Sequence, residues 1–84
     1  MADKHYFYVL KTKDETFYAG YTTNPKRRLA EHNQGIGAKY TRPKHKRPVE
    51  MIHVEEFLTR SEAIKAEYAF KQLTRKQKMN YLFE

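Results

Sequence analysis

The chain predicts an α+β domain with a three-stranded antiparallel sheet flanked by helices, and three observations predict it. Two runs dense in aromatic and β-branched residues, 5–12 and 16–22, flank the polar turn Lys13-Asp14-Glu15 and read as a hairpin. A third such run, 49–57, arrives only after a helical segment and a basic stretch. Helix-start signals at Asn24-Pro25, Thr59 and Thr74 open the remaining segments. The order is ββα(α)βαα, the bracketed helix being a short turn near Gly37–Tyr40.

The first strand carries large groups on both parities: Tyr6, Tyr8 and Leu10 on one face, Phe7 and Val9 on the other. A sheet with such a strand is covered on both sides. The turn that follows fixes which side chains meet. A three-residue turn centred on Asp14 sets Tyr8 opposite Gly20 and Leu10 opposite Tyr18, with both tyrosines on one face. A turn one residue shorter would invert the second strand. Asn24 is the cap and Pro25 the first residue of a helix running to about Gln34 and stopped by Gly35. Thr59-Arg60-Ser61-Glu62 reads as a capping box opening a helix to about Leu73, and Thr74-Arg75-Lys76-Gln77 as a weaker box opening a final short helix.

The 84 residues make one domain, 1–84, near the size at which a single core just suffices. With 39% hydrophobic and 14% aromatic residues, that core must rest on Tyr and Phe. There is no cysteine, which excludes disulfides and thiolate metal sites and leaves oxygen or histidine as metal ligands. No apolar run approaches the roughly 18 residues of a membrane span, and Met-Ala-Asp-Lys-His lacks a signal-peptide core. A cytoplasmic protein without a membrane partner is expected. The net charge of +7 favours a polyanionic partner, since basic side chains release counterions from phosphates.

Several side chains stand where a small domain would sooner place plain hydrophobes. Glu67 falls within the arc formed by Ala63, Ile64, Ala66, Tyr68, Phe70, Lys71 and Leu73 on the second long helix. A carboxylate there needs a charge partner or a metal. Lys71, four residues on, supplies the simpler alternative. Arg28 and His32 share a helix face; an Arg fork suits a phosphate, and a His one turn away can bond to it or move a proton. A solvated charged face would look the same. The tyrosines suit a core with wet hydroxyls, and a phenol with an ordinary pKa near 10 is a poor base without a nearby cation. Lys39, Tyr40, Arg42, Lys44, Lys46 and Arg47 combine cations with a stacking surface, as non-specific nucleic-acid grooves do, and equally suit a solvated loop. His53 reads as structural.

Taken together, these positions resemble the GIY-YIG nuclease superfamily, in particular its small stand-alone members, over nearly the whole chain. Tyr18-Ala19-Gly20 stands where that family has Tyr-Ile-Gly, and Tyr8 where the tyrosine of Gly-Ile-Tyr belongs. Arg28, His32 and Glu67 match the family arginine, the His/Tyr one turn later and the metal-binding glutamate. Gly37-Ala38-Lys39-Tyr40 and Lys71-Gln72-Leu73-Thr74-Arg75 are similar to segments of the short branch. The Gly-Ile of the first signature is Tyr6-Phe7 here, and for the asparagine that many members carry near the end of the domain only Asn80 is available. The linked spacing of five positions, rather than any one motif, is specific.

The resemblance implies a divalent-metal-dependent endonuclease acting on DNA in repair or processing. One Mg²⁺ or Mn²⁺ would sit on Glu67, Arg28 would contact the phosphate, Tyr8 or Tyr18 would orient the attacking water, and His32 would assist. Gly20 would be the structural glycine of the motif. A non-catalytic nucleic-acid-binding module on the same fold is the alternative, and an adaptor using Tyr40 and the basic loop on an acidic protein is a third reading.

Overall fold

The computed structural model describes residues 4–84. Its organising element is β1 (His5–Lys11), the central strand of a sheet ordered β2-β1-β3. Phe7, Tyr8, Val9 and Leu10 are each at most 1% exposed, so both parities of the strand are buried, as its unbroken apolar and aromatic run requires. β2 (Phe17–Thr22) and β3 (Glu50–Phe57) pair with it antiparallel on either side.

The hairpin has the expected odd turn: Tyr8 faces Gly20 and Leu10 faces Tyr18. Thr12 and Thr16 close it, with the Glu15 amide donating to the Thr12 carbonyl at 2.9 Å and Glu15 in the left-handed region at φ 64°. That is a type I turn followed by a left-handed residue, a common three-residue hairpin connection. Tyr8 and Tyr18 therefore share a face.

Each face has its own cover. Phe7, Val9 and Ala19 pack with Phe70 of α2 (Arg60–Lys71), and α3 (Arg75–Phe83) adds Leu82 to the same side. Tyr8, Leu10 and Val49 form a second cluster with Tyr18, Met51 and Leu29 of α1 (Pro25–Asn33). The Asn33 side chain ties α1 to the start of β3. Its Oδ1 accepts from the Val49 amide at 2.7 Å, and its Nδ2 donates to the Val49 carbonyl at 3.2 Å.

The helix ends follow the sequence closely. Asn24 Oδ1 caps the Arg27 amide at 3.1 Å, and α1 closes in a Schellman motif. There the Gly35 amide bonds the His32 carbonyl and the Ile36 amide the Glu31 carbonyl, with Gly35 at φ 83°. The two capping boxes come out in reverse order of strength. Thr74 and Gln77 form the complete reciprocal box, whereas the Glu62 side chain accepts from the Thr59 hydroxyl and not from its amide. The extra helical turn also lies elsewhere. The regular one is a 3₁₀ turn at Lys44–Lys46, where Pro43 presets the backbone; near Gly37–Tyr40 the chain makes only a tight turn, with the Thr41 amide bonding the Ala38 carbonyl at 3.2 Å and the Arg42 amide the Lys39 carbonyl at 3.4 Å.

Candidate active site

The face of the sheet under α1 gathers four of the five singled-out residues around one phenol. The Tyr8 hydroxyl lies 2.8 Å from His32 Nε2, and Arg28 Nε–H donates to it at 3.4 Å. His32 is fully buried, with Nδ1 2.7 Å from the hydroxyl of Thr41, itself fully buried. Thr41 in turn donates to the Ala38 carbonyl at 3.3 Å. Tyr18 packs its ring edge-on to His32, with centroids 5.4 Å apart, and stacks on Tyr40 at 5.7 Å. Among the described residues the Tyr18 hydroxyl has no hydrogen-bond partner.

Two proton arrangements fit these distances, and only one uses every donor. If Thr41 donated to His32 Nδ1, His32 Nε2–H would point at the Tyr8 oxygen together with Arg28 Nε–H. The hydroxyl proton of a tyrosine 1% exposed would then have no acceptor, at a cost of roughly 1–3 kcal/mol. In the other arrangement Arg28 donates to Tyr8, Tyr8 to His32 Nε2, His32 Nδ1–H to Thr41, and Thr41 to the Ala38 carbonyl. Every proton has a destination. The chain therefore runs from the guanidinium to the loop carbonyl.

Burial sets the charge states. It pushes the Tyr8 phenol up to about 12; the hydrogen bond and positive charge of Arg28 work against the rise, and the charges of Tyr18 and Glu67 add to it. It pushes His32 down to about 4, and the neighbouring Arg28 charge acts in the same direction. At neutral pH both groups are uncharged. Tyr8 keeps its proton, and His32 keeps a bare Nε2.

Arg28 is braced at each nitrogen: Nη1 donates to Glu31 at 3.0 Å and Nη2 to the Gly37 carbonyl at 2.7 Å. A guanidinium has five N–H bonds, so two remain for an incoming anion. Beside it opens a pocket of about 240 Å³ lined by Tyr21, Thr22, Thr23, Arg27, Arg28 and Glu31.

Two glycines make the approach of these groups feasible. A Cβ on Gly20, directly across the strand pair from Tyr8, would overlap the phenol oxygen and its ring carbon. One on Gly37 would lie 2.8 Å from the backbone of His32. Sequence reasoning reached Gly20 but passed over Gly37 as a site residue, and it missed Glu31 and Thr41 altogether. A threonine in a basic loop has no local signal; only the fold brings it under an imidazole nine residues earlier.

Glu67 stands apart from the network. It lies on α2, across the sheet from α1, and its charge reaches Tyr8 without a hydrogen bond to any of the other four. The apolar arc of α2 is narrower than the sequence suggests. Ala63, Ala66 and Phe70 face the sheet, while Tyr68, about 200° from both Ala66 and Phe70 at 100° per residue, is 66% exposed. Glu67 sits partly buried at the edge of that arc, its side chain 18% exposed, and Lys71 Nζ donates to its Oε2 at 2.7 Å. The i,i+4 pair is thus formed, and Oε1 has no partner among the described residues.

The basic loop divides. Lys39, Arg42 and Lys44 are exposed. Lys46 is turned inward, donating to Asp14 at 2.9 Å and lying 4.3 Å from the centroid of Tyr40, whose hydroxyl donates to Thr16. Arg47 donates to the carbonyls of Asn33 and Arg42. His53 bonds Glu55 at 2.7 Å and packs on Phe7, on the opposite face of the sheet from Tyr8. Asn80 lies exposed on α3, its carbonyl accepting from the Glu84 amide at 3.1 Å.

Residues 4–80 match the GIY-YIG catalytic domain, a span that takes in the strand pair, the α1 residues and Glu67. The chain belongs to the GIY-YIG family. A UPF0213 protein of Enterococcus faecalis is 69% identical over 78 residues, covering 93% of this chain and 89% of that one. The UPF0213 protein YazA of Bacillus subtilis is 54% identical over 82 residues, covering 98% and 81%. Among solved structures, an E. faecalis protein determined by solution NMR has 68% identity and a TM-score of 0.63, over 94% of this chain and 82% of that chain. The UPF0213 protein of Bacillus halodurans, also an NMR structure, has 40% identity and a TM-score of 0.60, over 93% and 81%. A GIY-YIG domain places the chain in a nuclease superfamily whose members generally depend on a divalent metal. No described helix is long and apolar enough to cross a membrane.

The residues present fit such an ion. Among the described residues no three His, Asp or Glu side chains converge as a closed protein cage would require. A single carboxylate with one uncommitted oxygen suits Mg²⁺ or Mn²⁺, hard ions that retain waters and share their coordination with substrate phosphate.

Two outcomes are expected. Gly20→Ala lowers stability by about 1–3 kcal/mol through overpacking against Tyr8, read by urea unfolding, and most of that cost disappears in a Tyr8→Leu background. For His32, the native state binds its proton only near pH 4, whereas the unfolded chain binds it near 6.5. The unfolded state thus holds more protons in that window, so stability falls as pH drops from about 6.5 to about 4. Unfolding curves of His32→Gln over the same range should lack that contribution.

Proposed function

We propose that this protein is a divalent-metal-dependent endonuclease acting on DNA, in repair or processing. The observation that carries the reading is the phenol of Tyr8, bonded to a cation on one side and a neutral imidazole on the other, with the charge of Glu67 in range. A structural tyrosine needs one partner for its hydroxyl; this one has a donor and an acceptor aligned as a relay.

Each residue has a role that its surroundings support. Arg28, held by Glu31 and Gly37, turns its two remaining N–H bonds to the scissile phosphate and stabilises charge as it develops there. Tyr8 takes the proton of the attacking water on its oxygen while its own proton passes to His32 Nε2. A free phenolate is not required, consistent with a phenol pushed up to about 12. Negative charge arriving with the substrate raises the affinity of His32 for that proton. Tyr18, its hydroxyl unpaired and its ring held by His32 and Tyr40, orients the water or a phosphate oxygen. Glu67 would hold one Mg²⁺ or Mn²⁺, which when bound neutralises the phosphate and the leaving oxygen. The exposed Lys39, Arg42 and Lys44 contribute salt-dependent attraction to the DNA backbone. Lys46 and Arg47 support that loop from within, and the exposed ring of Tyr40 offers a stacking surface beside it. A cytoplasmic location is part of this reading, with a cysteine-free sequence suited to a reducing compartment.

One observation favours the rival reading, a binding module without catalysis: Lys71 already neutralises Glu67. Nicking of supercoiled plasmid with Mg²⁺ or Mn²⁺ separates the two. Wild type should nick and Glu67→Gln should not, with the melting temperature little changed. Equal nicking by both would remove Glu67 from the site, and salt-sensitive binding without nicking would leave the binding module. Arg28→Ala should lose at least about 100-fold in rate, the order seen for a lost transition-state donor; a wild-type rate in that variant would exclude it from the chemistry.

A further inference from the structure

We infer that Thr41 is a positioning residue that holds His32 in the tautomer whose bare Nε2 faces Tyr8. Its part in catalysis rests on the nuclease reading above; its hold on the imidazole does not.

The residue is wholly buried in the segment between α1 and β3, and its hydroxyl has two contacts, His32 Nδ1 at 2.7 Å and the Ala38 carbonyl at 3.3 Å. With the buried Tyr8 hydroxyl donating into Nε2, the arrangement that leaves no donor unpaired sends the Thr41 proton to the Ala38 oxygen, which can only accept. What Thr41 presents to His32 Nδ1 at 2.7 Å is then a lone pair, and only an N–H can face it. The proton fixed on Nδ1 leaves Nε2 bare, and Tyr8 donates into it at 2.8 Å. Two residues from a single segment act together here. The Gly37 carbonyl takes Arg28 Nη2 at 2.7 Å, and the missing Cβ at Gly37 lets the segment lie against the His32 backbone. The loop thus presents an acceptor to the phosphate-binding residue and another to the proton acceptor.

Packing alone does not call for a hydroxyl at this position. Valine has nearly the same shape but offers Nδ1–H no acceptor. Either tautomer then leaves a buried donor without an acceptor: Nδ1–H in one, the Tyr8 O–H in the other, where Tyr8 faces both Nε2–H and Arg28 Nε–H. The single form held in the wild type is lost. Transfer from Tyr8 to His32 is blocked whenever Nε2 carries the proton, while the core stays filled.

Long-range ¹H–¹⁵N spectra of ¹⁵N-labelled protein, without metal or DNA, report the His32 tautomer directly. Wild type is expected in the Nδ1–H form. Thr41→Val is expected to lose the single Nδ1–H form and populate Nε2–H, to keep a cooperative melting transition and to lose plasmid-nicking rate in proportion to the Nε2–H population. Thr41→Ser should restore both the tautomer and most of the rate. An Nε2–H form in wild type overturns the inference without reference to any variant, so it remains testable if Thr41→Val does not fold. Nδ1–H as the sole form in a folded Thr41→Val also overturns it. The predicted tautomer shift with no nicking by any protein would support the hold on His32 and sink the nuclease reading alone.

Discussion

A phenol on a strand buried on both faces is the constraint from which the rest of this structure follows. β1 is covered on both faces, so the hydroxyl of Tyr8 cannot rely on bulk solvent and must find its partners within the fold. Opposite it the neighbouring strand needs a residue without a side chain, which is Gly20. Above it α1 must bring a hydrogen-bonding group rather than an aliphatic one, which is His32, and His32 in turn requires Thr41. Each polar group admitted to the core obliges the next. The sequence of obligations ends only at a backbone carbonyl, that of Ala38. Such a chain is costly when incomplete and rigid when complete. Rigidity is what the proposed proton relay would need, because transfer depends on atoms held at hydrogen-bond distance in advance.

The electrostatics of the protein are less uniform than its net charge suggests. Part of the +7 is engaged inside the fold: Lys46 anchors the basic loop to the hairpin turn through Asp14, and Arg47 binds backbone carbonyls at the end of α1. These contacts give shape to a loop that carries Thr41 and Gly37 on one side and exposed cations on the other. Exposed positive charge and support of the buried imidazole thus come from one stretch of chain. Glu67 belongs to a different element and approaches the phenol across the sheet, so the carboxylate and the relay are built independently and meet at β1.

Much of the fold was legible because its determinants are local. The cap at Asn24-Pro25, the left-handed stop at Gly35 and the odd hairpin turn each depend on a few adjacent residues, and the turn alone fixes that Tyr8 and Tyr18 share a face. The less secure readings were those in which two local signals competed. Thr59 and Thr74 both precede a box partner, and which box closes depends on where the glutamate or glutamine side chain finds its better contact. The width of the α2 stripe was overestimated because periodicity cannot say how much of a helix its sheet will cover, and Tyr68 turned outward.

By itself the sequence determined the element types, the hairpin register, and the spacing that sets Tyr8, Tyr18, Gly20, Arg28, His32 and Glu67 in one linked pattern. These follow from turn length and helical period, which act between near neighbours. Tertiary structure alone decided that the Tyr8 hydroxyl sits between Arg28 and His32, that Thr41 lies beneath the imidazole, and that Lys71 already shares the carboxylate of Glu67. It also decided the charge states, because a phenol is held protonated and a histidine neutral by what is packed around them, and residues distant along the chain do that packing.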